Sequence, residues 1–185
     1  MPVIVWMPVG RFSLAPDDSI HLGNYGWAVK SLILDGDSVA HTDEVPPNQY
    51  GPVFADLIDI AKSTPTYATL MVDSAHADSA GGALLVRVTA DSVPPGAQMR
   101  LVAVITEDSV VTEGFLGTTW DRVARRVVPN WQGRELNLAR GDTLYDTLRF
   151  STAGLNPVKL KAAVFIQNAA NWTIVQSLGV NRLSP

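Results

Sequence analysis

The sequence predicts a mostly β protein with a short α/β part at its N-terminus. Residues 66–185 contain about seven strand-like stretches separated by turn-forming residues, with no helical period between them. Residues 1–62 instead combine two apolar strand-like runs with one amphipathic helical pattern. The segment Ser63–Thr66 lies between these two patterns, so the predicted domains are residues 1–62 and 66–185.

The N-terminal part is predicted to run strand, strand, helix. Val3–Val9 is an apolar run, and Lys30–Leu34 is a second one that ends at the turn signal Asp35–Asp37. The segment Gln49–Lys62 has apolar residues at helical spacing, with Asn48 as a candidate N-cap. A linker of four residues follows and spans only about 10–12 Å, so the helix should stay close to the β part. We expect its apolar stripe to cover the small N-terminal sheet, and the stripe consists of Phe54, Leu57, Ile58 and Ala61.

The β part is predicted to be an all-β sandwich. Alternation is clear in three of its stretches, as in Leu84, Val86 and Val88, which places every second side chain on one face. Clusters of Gly, Pro and Asn separate the stretches and supply the turns. The predicted strands are Ala68–Ala75, Ala83–Ala90, Met99–Glu107, Ala124–Val128, Thr143–Ser151, Lys159–Asn168 and Ile174–Asn181.

Composition excludes several classes of function. The chain has 185 residues, a formal charge of -4 and no lysine- or arginine-rich block, which argues against nucleic acid as a partner. It contains no cysteine, so disulfides, thiol redox chemistry and thiolate metal sites are ruled out. No apolar run has the length of a membrane span, and residues 1–9 lack the charged start and cleavage site of a signal peptide. Only 17% of the residues are charged, which suits a secreted protein or a subunit of an assembly.

Several stretches together resemble a known family in their order and spacing. They are Val3–Trp6, Asn24–Gly36, Leu101–Glu107, Trp120–Arg125 and Lys161–Asn168. These stretches are similar to the Omp28-related family of bacterial secreted and outer-membrane-associated proteins, in which a thioredoxin-like domain precedes an immunoglobulin-like sandwich. Nothing here matches the first strand and helix of that domain. The resemblance therefore implies a truncated thioredoxin-like remnant packed on an immunoglobulin-like antiparallel β-sandwich.

The chain departs from this family pattern at the redox site. Thioredoxin-like domains carry a Cys-x-x-Cys motif and a cis-proline before the third strand. The chain has no cysteine, and the position of that proline falls near Lys30 and Ser31. We therefore expect no redox activity, no enzyme and no cofactor.

The acidic segment over residues 35–44 is the densest group of potential metal ligands. Asp35, Asp37, Asp43 and Glu44 supply carboxylates, and His41 adds an imidazole. A calcium loop needs five or more oxygens that converge on one point, and the spacing here does not follow the usual calcium-loop pattern. The segment is a candidate metal-binding or hydrolytic site, with an acidic solvated turn as the alternative.

Aromatic residues give a second candidate site. Trp120, Trp131 and Trp172, with Tyr145 and Phe115, could form a surface on which sugar rings stack. The alternative is that the indoles fill the core or close the ends of strands.

A further acidic group, Glu107, Asp108 and Glu113, flanks a predicted loop. Paired carboxylates perform acid–base catalysis only when their surroundings separate their pKa values, and exposed loop carboxylates lack such surroundings.

These observations favour a non-enzymatic structural or assembly module of the bacterial cell envelope or extracellular space. A truncated α/β sheet would leave a strand edge and an apolar face open, and such surfaces are costly unless another chain covers them. We therefore expect the chain to self-associate or to dock on a partner protein, with a glycan as a further possible ligand. The alternatives are a carbohydrate-binding module that uses the tryptophans, and a metal-binding or hydrolytic domain that uses the acidic segment.

Overall fold

A computed structural model describes residues 31–34, 37–41, 66–92, 98–111 and 119–183, together with Gln49, Pro52, Ala55, Asp56 and Asp59. The predicted strand over residues 3–9 and most of the predicted helix over residues 49–62 lie outside the described residues. The thioredoxin-like remnant and the domain boundaries therefore stay predictions.

Two short strands form a hairpin in the N-terminal part. β1 (Ser31–Leu34) corresponds to the second predicted strand, and it pairs antiparallel with β2 (Asp37–His41). The pairing places Leu34 opposite Asp37, as expected for a turn signal between two strands. The sequence did not predict β2, because it has little apolar alternation.

The seven strands predicted for the β part are confirmed, and their ends agree to within two residues. The structure adds three short strands, and a 3-10 helix covers Pro157–Lys159. Among the described residues, no helix is both long enough and apolar enough to cross a membrane. The strands are β3 (Ala68–Ala77), β4 (Gly82–Ala90), β5 (Met99–Glu107), β6 (Val110–Val111), β7 (Thr119–Trp120), β8 (Val123–Val128), β9 (Arg134–Leu136), β10 (Thr143–Phe150), β11 (Leu160–Asn168) and β12 (Ile174–Val180).

The strands of the β part form two antiparallel sheets. The three-stranded sheet has the order β10-β4-β3. The five-stranded sheet has the order β12-β11-β5-β8, and the short strand β9 pairs with β5 beyond the end of β8. A separate hairpin, β6-β7, connects β5 to β8.

One apolar core holds the two sheets together. Its side chains alternate along β4 in one sheet and along β5 and β11 in the other, which is the pattern of sheets packed face to face. The alternation predicted from sequence is thus confirmed. The core residues include Leu84, Val86 and Val88 from the first sheet and Leu101, Ala103, Ile105, Leu160, Ala162, Val164 and Ile166 from the second.

Polar contacts join the sheets along both of their open sides. On one side Gln176 Nε2 of β12 donates to the carbonyl oxygen of Ala68 in β3, at 3.1 Å. On the other side Arg134 Nε of β9 lies 3.3 Å from Asp146 Oδ2 of β10, an ion pair without hydrogen-bond geometry. Asp146 points inward from β10, which pairs only with β4 among the described strands. An inward charge is a common device against further pairing at an edge strand.

Candidate functional site

The outer face of the three-stranded sheet carries a row of large exposed side chains. The strand register places Met71 of β3, Arg87 of β4 and Tyr145 of β10 directly beside one another. Met71 is 43% exposed and Tyr145 is 61% exposed, and both are among the most exposed large hydrophobic residues of the described part. Methionine, arginine and aromatic residues are enriched at protein–protein interfaces.

A β-bulge fixes the central arginine of this row. The register of β3 against β4 shifts between Val72 and Ser74, so Asp73 is the extra residue. Its carboxylate accepts from Arg87 Nε at 3.1 Å and from Arg87 NH2 at 3.0 Å. The hydrogen bond to Asp73, with the charge of the same carboxylate, raises the pKa of Arg87. The guanidinium is therefore a fixed, permanently charged group on this face.

Threonines form the neighbouring row of the same face. Thr69, Thr89 and Thr143 lie side by side across the three strands. The hydroxyls of Thr89 and Thr143 are 3.0 Å apart, and Thr69 Oγ1 donates to Asp91 Oδ2 at 2.9 Å. Short side chains in one row and long ones in the next give this surface a stepped, mostly polar profile.

The outer face of the five-stranded sheet is different, because it is apolar and buried. Val102 and Val104 of β5 are both 2% exposed, and Ala124 and Phe165 are buried with them. Antiparallel sheets commonly have one face packed and the other solvated. This sheet is packed on both faces.

Two of the three candidate tryptophans, Trp131 and Trp172, belong to segments that lie close to Arg100. The Arg100 guanidinium carbon lies 6.0 Å from the centre of the Trp172 ring, within the range of a cation–π contact. Trp131 belongs to a turn in which the Gly133 N–H donates to the carbonyl oxygen of Asn130. This turn lies against Arg100, as a Cβ placed on Gly133 would be 3.1 Å from Arg100 Cβ. Both indoles are half-buried.

Trp120 is placed elsewhere. It lies in β7, which follows from the other end of β5, and it pairs with Val110. Arg100 is the second residue of β5 and Glu107 is the last. The two are separated by roughly 23 Å at the usual rise of a strand. The backbone of β7 is thus at the opposite end of β5 from the segments of Trp131 and Trp172, and sugar binding by Trp120, Trp131 and Trp172 stays a prediction.

The carboxylates of Glu107 and Asp108 are each held by structural partners. Glu107 Oε2 lies 2.8 Å from Arg125 NH1, and Glu107 Oε1 accepts from the backbone N–H of Asn156 at 2.8 Å. Asp108 pairs with Lys161 and accepts from the backbone N–H of Arg122 at 2.9 Å. These contacts tie the loop before β11 and the start of β8 to the end of β5.

The charge state of Asp108 follows from these contacts. Partial burial alone would raise its pKa, but the hydrogen bonds from Lys161 and Arg122, with the charges of both residues, lower the pKa on balance. A general acid needs the opposite shift. Asp108 therefore fits a structural role, and Glu113 lies outside the described residues.

The predicted metal site is not tested by the described residues. Asp35, Asp43 and Glu44 lie outside them, and for Asp37 only the backbone position at the start of β2 is described. Elsewhere in the described part, no group of three or more acidic or histidine side chains could hold a metal ion. The candidate site at residues 35–44 stays a prediction.

Sequence reasoning missed the row formed by Met71, Arg87 and Tyr145, apart from Tyr145 as a possible sugar-stacking residue. Nothing local marks such a row, since its members are 16 and 58 residues apart along the chain. Only the register of three strands brings them together.

No protein-family model matches the chain. No curated protein matches its sequence.

The fold is similar to that of solved structures from Porphyromonas gingivalis. HBP35 of that organism superposes with a TM-score of 0.66 and 11% sequence identity, over 84% of this chain and 54% of HBP35. A domain of the outer membrane lipoprotein Omp28 gives a TM-score of 0.48 and 12% identity, over 66% of this chain and 92% of that domain. The chain thus spans about half the length of HBP35. At this identity, the likeness to HBP35 concerns the fold alone.

Proposed function

We propose that the protein is a non-enzymatic binding or assembly module of the bacterial cell envelope or extracellular space. It self-associates or docks on a partner protein through the outer face of its three-stranded sheet. An immunoglobulin-like sandwich over residues 66–185 presents this face, and residues 1–62 form a thioredoxin-like α/β part. The sequence resemblance to the Omp28-related family and the low charged fraction support the location.

The topology supports the immunoglobulin-like assignment. Three strands in one sheet and four main strands in the other are antiparallel and share one core, as in sandwiches of this architecture. The chain passes from one sheet to the other between β4 and β5, between β9 and β10, and between β10 and β11. These crossings give a Greek-key type of connection rather than a simple meander.

The observation that carries the proposal is the exposed row of Met71, Arg87 and Tyr145. Exposed apolar surface that is rimmed by polar residues commonly marks an interaction site, and Met71 and Tyr145 lie on either side of Arg87 in one row. Binding energy at interfaces concentrates on tyrosine and arginine anchors, and a rigid anchor loses little entropy on binding. Asp73 makes Arg87 rigid, and the sheet backbone holds the three residues in line.

Sedimentation velocity over a concentration series tests the proposal. We expect the full chain to associate in the micromolar range, and Tyr145→Ala to weaken this association by roughly tenfold or more, as for an interface anchor. Tyr145 is 61% exposed, so its removal should leave the thermal midpoint unchanged.

Val158→Ala is the matched control, since Val158 is 68% exposed but lies on the short 3-10 helix. Its association should equal that of the parent. A parent chain that stays a monodisperse monomer throughout the series would contradict self-association.

A carbohydrate-binding role is the second candidate, and it rests on the contact between Arg100 and Trp172. A half-buried indole beside a cation offers both a stacking face and a hydrogen-bond donor to a sugar. Glycan binding that disappears in Trp172→Ala and persists in Tyr145→Ala would favour this role. Silence of the parent chain on a glycan array would remove it.

A further inference from the structure

One open side of the sandwich, where β3 and β12 are the edge strands, is closed by the side-chain amide of Gln176. Among the described strands, β3 pairs only with β4, and β12 pairs only with β11. Gln176 Nε2 donates to the carbonyl oxygen of Ala68 in β3 at 3.1 Å. Gln176 Oε1 accepts from the N–H of Ser177 in β12 at 2.9 Å. One amide therefore binds a backbone group on the edge strand of each sheet.

The opposite side, where β8 and β10 are the edge strands, has a similar arrangement around Arg126. Arg126 NH1 donates to the carbonyl oxygen of Arg125 in β8 at 2.7 Å, and Arg126 NH2 donates to that of Ala153 at 2.8 Å. Ala153 follows shortly after the end of β10. The register of β8 against β5 shifts at Arg125, which is the extra residue of a bulge. The guanidinium thus binds backbone carbonyls of both sheets' edge regions.

Gln176 and Arg126 are polar residues at positions where the alternation of the strands predicts apolar ones. The register places Gln176 opposite Ile166 and Arg126 opposite Ile105, and both isoleucines are buried in the core between the sheets. Residues directly opposite each other in a sheet share a face, so both polar side chains lie on the inner face of an edge strand. Their polar ends therefore reach the backbone groups along the open sides.

The two edge strands of the three-stranded sheet have devices of their own. β3 carries the bulge at Asp73, and β10 carries the inward carboxylate of Asp146. Bulges and inward charges keep an edge strand from pairing with another chain. All four strands that end the two sheets, β3, β8, β10 and β12, thus carry a feature that opposes the addition of a further strand.

We propose that Gln176 and Arg126 are edge-closing residues, which exclude strand addition from the two open sides of the sandwich. Association then uses the side chains on the outer face of the three-stranded sheet, and the partner presents a folded surface rather than an extended segment. This consequence for the partner rests on the proposed function, whereas the closing of the edges does not.

The test first removes the proposed binding face and then opens each side. Gln176→Leu and Arg126→Leu are each made in the full chain that carries Tyr145→Ala. We expect each of the two to associate roughly tenfold or more tightly than Tyr145→Ala alone in sedimentation velocity, because a second copy can then pair with the opened edge. The association should reverse on dilution.

Gln167→Leu in the same background is the matched control. Gln167 Nε2 also donates to a backbone carbonyl oxygen, that of Trp172 at 2.7 Å, but Gln167 lies on β11, which is paired on both sides. The control should associate no more than Tyr145→Ala alone.

Amide hydrogen exchange identifies the edge that pairs. The Ser177 N–H points away from β11, since it donates to Gln176, and the two-residue period of a strand directs the Gly179 N–H to the same side. Exchange at Gly179 should slow with rising protein concentration in the Gln176→Leu chain and stay constant in the parent.

Three results would overturn the proposal. The first is that Gln176→Leu or Arg126→Leu stays as monomeric as Tyr145→Ala alone. The second is equal association of the Gln167→Leu control, which would trace the effect to a weakened fold. The third is slowing of Gly179 exchange with concentration in the parent, which would mean that this edge is already open. A parent chain that does not associate counts against the proposed function alone, because the comparisons are made without Tyr145.

Discussion

Asp73 is the extra residue of the bulge in β3, and its carboxylate accepts two hydrogen bonds from the Arg87 guanidinium. The distances are 3.1 Å from Arg87 Nε and 3.0 Å from Arg87 NH2. Arg87 NH2 also contacts Met71 Sδ at 3.2 Å. The bulge in β3 thus fixes the position of the charged Arg87 side chain on the neighbouring strand β4. Bulges commonly re-aim side chains in this way.

We predict that Asp73→Ala weakens association without weakening the fold. Exposed ion pairs contribute little to stability, so the thermal midpoint should stay close to that of the parent. Arg87 would become mobile, and its ordering on binding would then carry an entropic cost. The association constant from sedimentation should fall, whereas Asp91→Ala, beside the threonine row, serves as a control that leaves Arg87 in place.

The ion pair between Glu107 and Arg125 should matter more for stability. The Glu107 side chain is only 9% exposed and has two partners, Arg125 and the N–H of Asn156. Glu107→Ala leaves both partners unsatisfied, and we expect a loss of about 2–4 kcal/mol in the free energy of unfolding. Urea denaturation measures this loss.

Glu135→Ala is the matched control, because Glu135 is an exposed glutamate on β9 of the same sheet. Its free energy of unfolding should change by less than about 0.5 kcal/mol. Equal losses in the two variants would show that the Glu107 contacts do not stabilise the fold.

Asp108 should make the stability of the protein depend on acid pH. Its pKa is lowered below the ordinary value of 3.8, because the bonds and charges of Lys161 and Arg122 outweigh the effect of burial. A carboxylate whose pKa falls on folding stabilises the fold above its unfolded pKa, and this contribution is lost as the pH drops through the folded value.

The parent should therefore exceed Asp108→Asn in free energy of unfolding at neutral pH, and the difference should shrink below about pH 3.8. Denaturation of both proteins at neutral pH and at the lowest pH that they tolerate measures the difference. A difference that stays constant with pH would show that the Asp108 charge contributes nothing.

Two glycines form a matched pair for a test of backbone and packing. Gly133 and Gly141 both have positive φ, at +69° and +89°. A Cβ on Gly133 would lie 2.7 Å from Val102 Cγ2, whereas a Cβ on Gly141 would meet nothing within 4 Å. Both alanine variants should lose about 1 kcal/mol from the positive φ, and Gly133→Ala should lose more because Val102 must move.

Thermal or urea denaturation of the two variants gives the comparison. Equal losses would mean that the turn at residues 130–133 shifts freely, and that the turn does not press on the outer face of the sheet.

Much of the sandwich could be predicted from the sequence. Alternation at Leu101, Ala103 and Ile105 identified the inner face of β5, and turn residues marked the ends of most strands. The unbroken apolar run Leu101–Ile105 also held a signal for burial on both faces. Alternation alone assigns only one face of β5 to the core, and it therefore does not predict the outer cluster of Val102 and Val104.

The candidate site could not be predicted in the same way. The alignment of Met71 with Tyr145 depends on the pairing of three strands and on the bulge at Asp73, and both are set by non-local contacts. The separation of Trp120 from Trp172 has the same cause, since it depends on which end of β5 each connecting segment meets. The strand β9 was not predicted, because its 3 residues are too few to show an alternation of apolar and polar side chains.

Methyl resonances of methionine test the central claim most directly. Met71 lies on the proposed binding face and is 43% exposed, whereas Met99 lies in the core between the sheets and is 8% exposed. We predict that raising the concentration of the methyl-labelled full chain from low micromolar to near-millimolar shifts or broadens the Met71 resonance and leaves that of Met99 in place. The same series in Tyr145→Ala should show a much smaller change at Met71. A Met71 resonance that stays fixed while the chain associates, or that moves equally in Tyr145→Ala, would contradict binding through this face.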